Sequence, residues 1–175
     1  MVILRATKKV LGRLAQTAAD GASDTALGDW YVNRVVIDRQ PLLILVSSTS
    51  LLPIVAPARN VRDLPATLPK LVADRLRRLK ISEELIAQEM AAMSPVHVAP
   101  TRDRSVVGTL VSFGQELPFY LSRDGWDESH LPEAERKLSD TPCRVTGKRS
   151  EVVFPLDSAP ALLQNKWRGQ RGRLH

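Results

Sequence analysis

Three histidines (His97, His130 and His175) and one cysteine (Cys143) are the side chains in this sequence most readily turned to nucleophilic, acid–base or metal chemistry. Their spacing assembles no familiar centre. No HxxxH, CxxC or HExxH pattern places two ligands on one turn, so a transition-metal site requires distant residues to converge. No GxSxG elbow presents a serine as nucleophile, and no GxxxxGK[ST] loop is present to cradle a triphosphate. Cys143 stands in TPCR, where Arg144 is positioned to lower its pKa, as a reactive thiolate requires; a structural cysteine is the plainer reading. No catalytic residue, metal ligand or cofactor is assigned from the sequence.

The cations say more. Lysine and arginine number 25 against 19 aspartates and glutamates, a formal net charge of +6, which favours anionic partners such as nucleic acid or an acidic protein surface. They concentrate in two places. KLVADRLRRLK carries Lys70, Arg75, Arg77 and Arg78, offset within it by Asp74 and followed by Glu83 and Glu84. A basic helix face of this kind tracks a phosphate backbone. NKWRGQRGRLH carries Lys166, Arg168, Arg171 and Arg173 around Trp167, and such interleaving suits single strands held by charge and stacking. Trp167 equally suits a core anchor.

Anions find a second kind of site at helix starts, where free N–H groups and the helix dipole favour negative charge. Thr7, Lys8 and Lys9 in LRATKK make one such start, and Arg102 and Arg104 in TRDRS make another. If the two meet in a pocket, they hold a phosphorylated substrate. Capping and solvated surface charge explain the same residues. The expected function is therefore a small basic binding or regulatory protein contacting nucleic acid through backbone electrostatics. Two alternatives stand beside it: a hydrolase or transferase acting on a phosphorylated small molecule, and an interaction subunit for an acidic protein.

The elements that must position these groups can be read from hydrophobic periodicity. In LGDWYVNRVVIDRQPLLILV, Trp30, Val32 and Arg34 fall on one face of a strand, with Tyr31, Asn33, Val35 and Ile37 on the other. DRQP supplies a turn, and LLILV reads as a strand covered on both faces. LLPIVAPA, with Pro53 and Pro57, reads as an edge segment. Helical spacing follows in Leu68, Leu71, Val72, Leu76 and Leu79, then in Leu85, Ile86, Met90 and Met93. Val106, Val107, Leu110 and Val111 stripe another helix, where Gly108 and Ser112 admit a close neighbour. PVHVAP is either strand or linker. KKVLGRLAQTAA after Thr7 reads as a full helix, and SAPALLQNKW as a short one before a frayed tail.

Strands come early and helices late. That order predicts an α+β fold, with a small, mostly antiparallel sheet from the N-terminal half packed against helices mainly from the C-terminal half. Residues 1–165 are expected to form one domain and 166–175 a flexible basic tail. At 43% hydrophobic and 25% charged, the composition excludes disorder along the whole chain. No apolar run approaches the ~18 residues of a membrane span. MVILRATKK meets charge too soon for a secretory signal, and the lone cysteine fits a reducing compartment, so a cytoplasmic location is expected.

Taken in order, VILRATKKVLGRL, LGDWYVN, LLILVSSTSLLPIVAPA, TRDRSVVGTL, LSDTPC and FP resemble a family of small bacterial proteins of unknown function. Members open with a strand and a TKK helix and run through an LGDWY hairpin into an LLP segment. The resemblance covers nearly the whole chain. It implies a single intact domain, a bacterial source and a stand-alone cytoplasmic protein, and it carries no activity or catalytic residue with it.

Overall fold

The alternation read from residues 30–46 is realised as a tight hairpin. In the computed structural model, which describes residues 1–17, 21–121, 124–144 and 151–171, β2 (Trp30–Ile37) and β3 (Gln40–Ser47) pair antiparallel, Trp30 opposite Ser47 and Ile37 opposite Gln40. The two-residue turn between them, Asp38 and Arg39, has φ of 50° and 64°, the left-handed pair that matches the twist of a hairpin.

β4 (Pro53–Pro57) adds antiparallel to β3, and β1 (Val2–Ala6) adds parallel to β2. The segment read as strand or linker becomes β5 (Val96–Pro100), parallel to β1 with Val2 opposite Val96 and Ala6 opposite Pro100. The sheet is thus five-stranded and mixed, in the order β4-β3-β2-β1-β5. The fold class is α+β.

Both faces are covered. Val2, Leu4, Trp30, Val32, Leu43, Leu45 and Ile54 project into one core, closed by α2 (Leu64–Arg78), α3 (Glu83–Ala92) and α6 (Pro155–Arg171). Tyr31, Ile37, Leu42, Ile44, Val46 and Val55 project into the other, under α4 (Arg104–Tyr120) and α5 (Leu131–Ser139). β3 therefore serves two cores at once, the reason LLILV is apolar at every position. The close approach of α4 falls at Gly114, where an added Cβ would lie 3.3 Å from Val35, and not at Gly108, which has open space around it. β6 (Cys143–Arg144) and β7 (Val152–Val153) form a separate two-stranded sheet.

Two helices differ in length from their expected extent. α1 covers only Lys8–Leu11. Beyond Gly12 the chain leaves the helix and runs along the outer edge of β5, where Thr17 N–H donates to Val98 O and Val98 N–H donates to Thr17 Oγ1. Covering that edge takes the backbone groups a longer helix would have used. α6, by contrast, continues through the boundary expected at 165/166. Trp167 is buried against the core of α2 and α3, and its Nε1 donates to Glu89 Oε2 at 2.8 Å.

Five buried charges make three tie points between segments distant in sequence. Glu89, fully buried on α3, accepts from the N–H groups of Ala26 and Leu27 as well as from Trp167. Arg5 on β1 pairs with Asp29 and donates to Pro100 O. The third joins the two faces at the open edge of β4. There Arg75 Nε donates to Pro53 O at 3.0 Å, and Val55 N–H donates to Glu135 Oε2 at 2.8 Å. Glu135 also pairs with Arg75 and Arg78. Burial pushes the Arg75 guanidinium below its ordinary value and Glu135 opposes that shift. The backbone groups an edge strand offers to a neighbour are thereby occupied by side chains of α2 and α5.

Candidate nucleic-acid interface

The basic helix α2 does not present the face read from its sequence. Arg75 is 2% exposed and points inward. Arg78 is engaged by Glu135, Arg77 by Glu83 at 2.8 Å and Asp74 at 3.1 Å, and Lys70 by Asp74 at 2.7 Å. Hydrogen bonding to Glu83 holds Arg77 above its ordinary value, and Arg77 holds Glu83 below its own. Each charge in this group is largely answered by a neighbour. In the C-terminal group, Lys166 donates to Thr25 O at 3.2 Å and lies 5.3 Å from the Trp167 ring. Trp167 is buried and has no free face for a base, while Arg168 is exposed. The side chain of Arg171, and Arg173 and His175 altogether, lie outside the described residues.

The second set fares differently. β1, β2, β4 and β5 run so that their C-terminal ends lie at one end of the sheet, together with the start of β3. Ala6 pairs with Pro100, so the connections carrying Thr7, Lys8 and Lys9 and those carrying Arg102 and Arg104 leave from adjacent strand ends. They leave to opposite faces: Val10 of α1 joins the core under α2, and Val106 of α4 joins the core under α5. In open α/β sheets, ligands bind where neighbouring connections diverge in this way. Thr7 Oγ1 donates to Asn33 Oδ1 at 2.8 Å and does not cap α1. Asp103 caps α4, and its own N–H donates to Tyr31 Oη.

The same end of the sheet gathers cations that no sequence motif had linked. Arg13 follows α1, Arg39 sits in the β2–β3 turn, and Arg62 lies in the 3-10 turn Val61–Asp63 that leads from β4 into α2. Lys8, Lys9, Arg13, Arg39, Arg62, Arg102 and Arg104 are all exposed, and among the described residues none has an ion-pair partner. Arg34, on the face of β2 that α1 covers, has a buried Nε with no partner. Most acids nearby are engaged: Asp38 accepts from Trp126 Nε1, Asp103 caps α4, and Glu128 pairs with Arg59. Asp63 is the exposed exception.

The LGDWY stretch proves to be architecture. Gly28 has φ of 74°, and a Cβ there would lie 2.3 Å from Ser48 Oγ, so both conformation and space require glycine. Asp29 N–H donates to Ser48 Oγ, and the Asp29 carboxylate accepts from Ser23 and Arg5. Trp30 and Tyr31 are buried in opposite cores.

His97, His130 and Cys143 take structural positions. His130 Nδ1 accepts from Asp127 N–H in a capping box, and His97 Nδ1 lies 3.4 Å from Thr17 Oγ1. Among the described residues, no group of three or more His, Cys, Asp or Glu side chains is placed to hold a metal ion. Cys143 is buried, and burial with the nearby Glu116 carboxylate pushes its thiol up to about 11. Arg144 does not offset this. At pH 8 the native protein is therefore expected to resist iodoacetamide, and to alkylate quickly once unfolded in urea. Rapid labelling of the native state would contradict a buried neutral thiol.

Residues 3–158 match the family model described as "Domain of unknown function (DUF6933)", a span running from β1 into the first turn of α6. No curated protein and no solved structure matches the chain. No helix among the described residues is long and apolar enough to cross a membrane.

Proposed function

We propose a nucleic-acid-binding role for this chain, which belongs to the DUF6933 family: in the cytoplasm of a bacterial cell it holds a phosphate backbone against the cationic end of its sheet. One observation supports the reading above others. Seven exposed cations from four separate connections come to the same end of one sheet, with no ion-pair partner among the described residues. Like charges gathered on one surface repel one another, and the folded state tolerates them where an anionic partner relieves the repulsion.

The contact is electrostatic. Lys8, Lys9, Arg39, Arg102 and Arg104 reach phosphates from rigid strand ends, and arginine forks supply paired hydrogen bonds to each phosphate they meet. No aromatic side chain with a free face stands among them, so base stacking and base-specific readout contribute little. Affinity then varies weakly with sequence and strongly with salt.

Fluorescence anisotropy with labelled duplex DNA and single-stranded RNA across a salt series tests this. Contact with about four to six phosphates gives a log Kd against log salt slope of magnitude roughly 4 to 5 on duplex. A slope of magnitude below about 1, or no binding at low salt, contradicts it.

A further inference from the structure

Beside the open cationic surface lies a concave site of about 430 Å³, between the end of α1 and the β4–α2 connection. It is lined by Gly12, Arg13, Ala58, Asn60, Val61 and Arg62. No acid lines it, and neither arginine has an ion-pair partner among the described residues. Asp63, the next residue along the chain, lies outside the lining. Arg13, Arg62 and Asn60 therefore line one hollow whose other walls are Gly12, Ala58 and Val61. Asn60 holds φ of 50° and ψ of 49°, and starts the 3-10 turn.

A smaller groove of about 350 Å³ beside the same connection differs in kind. Its walls are Leu43, Ala56, Pro57, Leu64 and Leu71, and its charges are answered: Arg59 by Glu128, and Lys70 by Asp74. The unanswered charge is in the first site.

A phosphodiester within a strand carries one negative charge and is tethered on both sides, so it lies along an open surface. A phosphomonoester carries nearly two charges and three free oxygens, and is tethered on one side only. It can enter a hollow and accept from two arginine forks together. We infer that this hollow receives a phosphomonoester, the terminal phosphate of a strand whose backbone lies across the adjacent cationic end. The inference rests on the nucleic-acid reading and adds to it a preference for phosphorylated strand ends.

The test compares labelled single-stranded oligonucleotides of one sequence ending in 5′-phosphate, 3′-phosphate or hydroxyls. At least one phosphorylated end should bind about tenfold tighter than the hydroxyl form, which corresponds to one additional charge-assisted contact pair. In Arg62→Ala and in Arg13→Ala the phosphorylated and hydroxyl forms should bind alike, so that each variant removes the preference whatever it does to backbone affinity. Asn60→Gly, which keeps the left-handed backbone, should weaken the preference less. Inorganic phosphate in the millimolar range should erase the preference before it displaces the hydroxyl form. Equal binding of all three strands overturns the terminal-phosphate inference and leaves backbone binding standing. Absence of binding by any strand overturns both. A preference that survives both arginine variants places the terminal phosphate elsewhere and also overturns the inference.

Discussion

Glu135→Ala is expected to lower the stability of this protein by about 3–5 kcal/mol, the range found when one partner of a buried ion pair is removed. Glu135 is 1% exposed. Without it Arg75 keeps its charge inside the protein and Val55 N–H loses its acceptor. Glu135→Gln retains an oxygen for Val55 and should cost less than alanine. Replacing the pair together, Arg75→Met with Glu135→Leu, should recover much of the loss, because no buried charge is then stranded. Urea unfolding of the four proteins gives the order wild type, double variant, Gln, Ala. If alanine unfolds within about 1 kcal/mol of wild type, the ionic clamp is not what holds α5 to β4. The single alanine variant should also associate at high concentration, since the edge of β4 is then open to a second strand.

Trp167→Ala is the second large effect, at about 3–5 kcal/mol, typical of a buried aromatic truncated in a core. The indole fills the space between α6 and α3, and its N–H completes the three donors around the Glu89 carboxylate. Removing it leaves a cavity and a buried carboxylate short of a donor. A chain ending at Asn165 should behave the same way. Its loss of stability would mean that any binding it loses reports unfolding and not the absence of a flexible basic tail. Intact stability on truncation, measured by thermal melting, would show that α6 is dispensable.

Both effects have signals in the sequence, of a kind that charge patterning obscures. Arg75 lies three residues after Val72 and four before Leu79, so it sits on the apolar stripe of α2 and not on its solvated face. Glu89 stands in the same relation to Leu85, Ile86 and Met93, and Glu135 to Leu131 and Leu138. A charge at a stripe position is either buried with a partner or breaks the helix's packing. Trp167 likewise continues Ala159 and Leu163 at fourfold spacing, which argues for an α6 longer than SAPALLQNKW alone. The strand pattern was directly legible, because alternation at residues 30–37 and the doubly apolar LLILV are local signals with one structural solution. The cationic end was not. Arg13, Arg39 and Arg62 are single residues far apart in sequence. Arg39 and Arg62 come to the end that carries Lys8 through the pairings of β2, β3 and β4, and Arg102 because β5 returns parallel to β1, a pairing that no local pattern specifies.

This divides the basic residues into two groups, and the division can be measured. In one variant, Lys9, Arg39, Arg102 and Arg104 are each replaced by glutamine; in the other, Lys70, Arg77, Arg168 and Arg136, which pairs with Glu133 on α5, are. Each removes four charges from a net +6, so total charge cannot distinguish them. The measurement is the affinity of both variants and the wild type for one labelled duplex at about 0.1 M salt, with the salt slope. The first variant is expected to lose about a hundredfold or more and its slope to flatten by several units, while the second stays within about threefold of wild type. Equal losses in the two variants, or the greater loss in the second, would contradict the claim that the strand-end surface is where this protein meets its anionic partner.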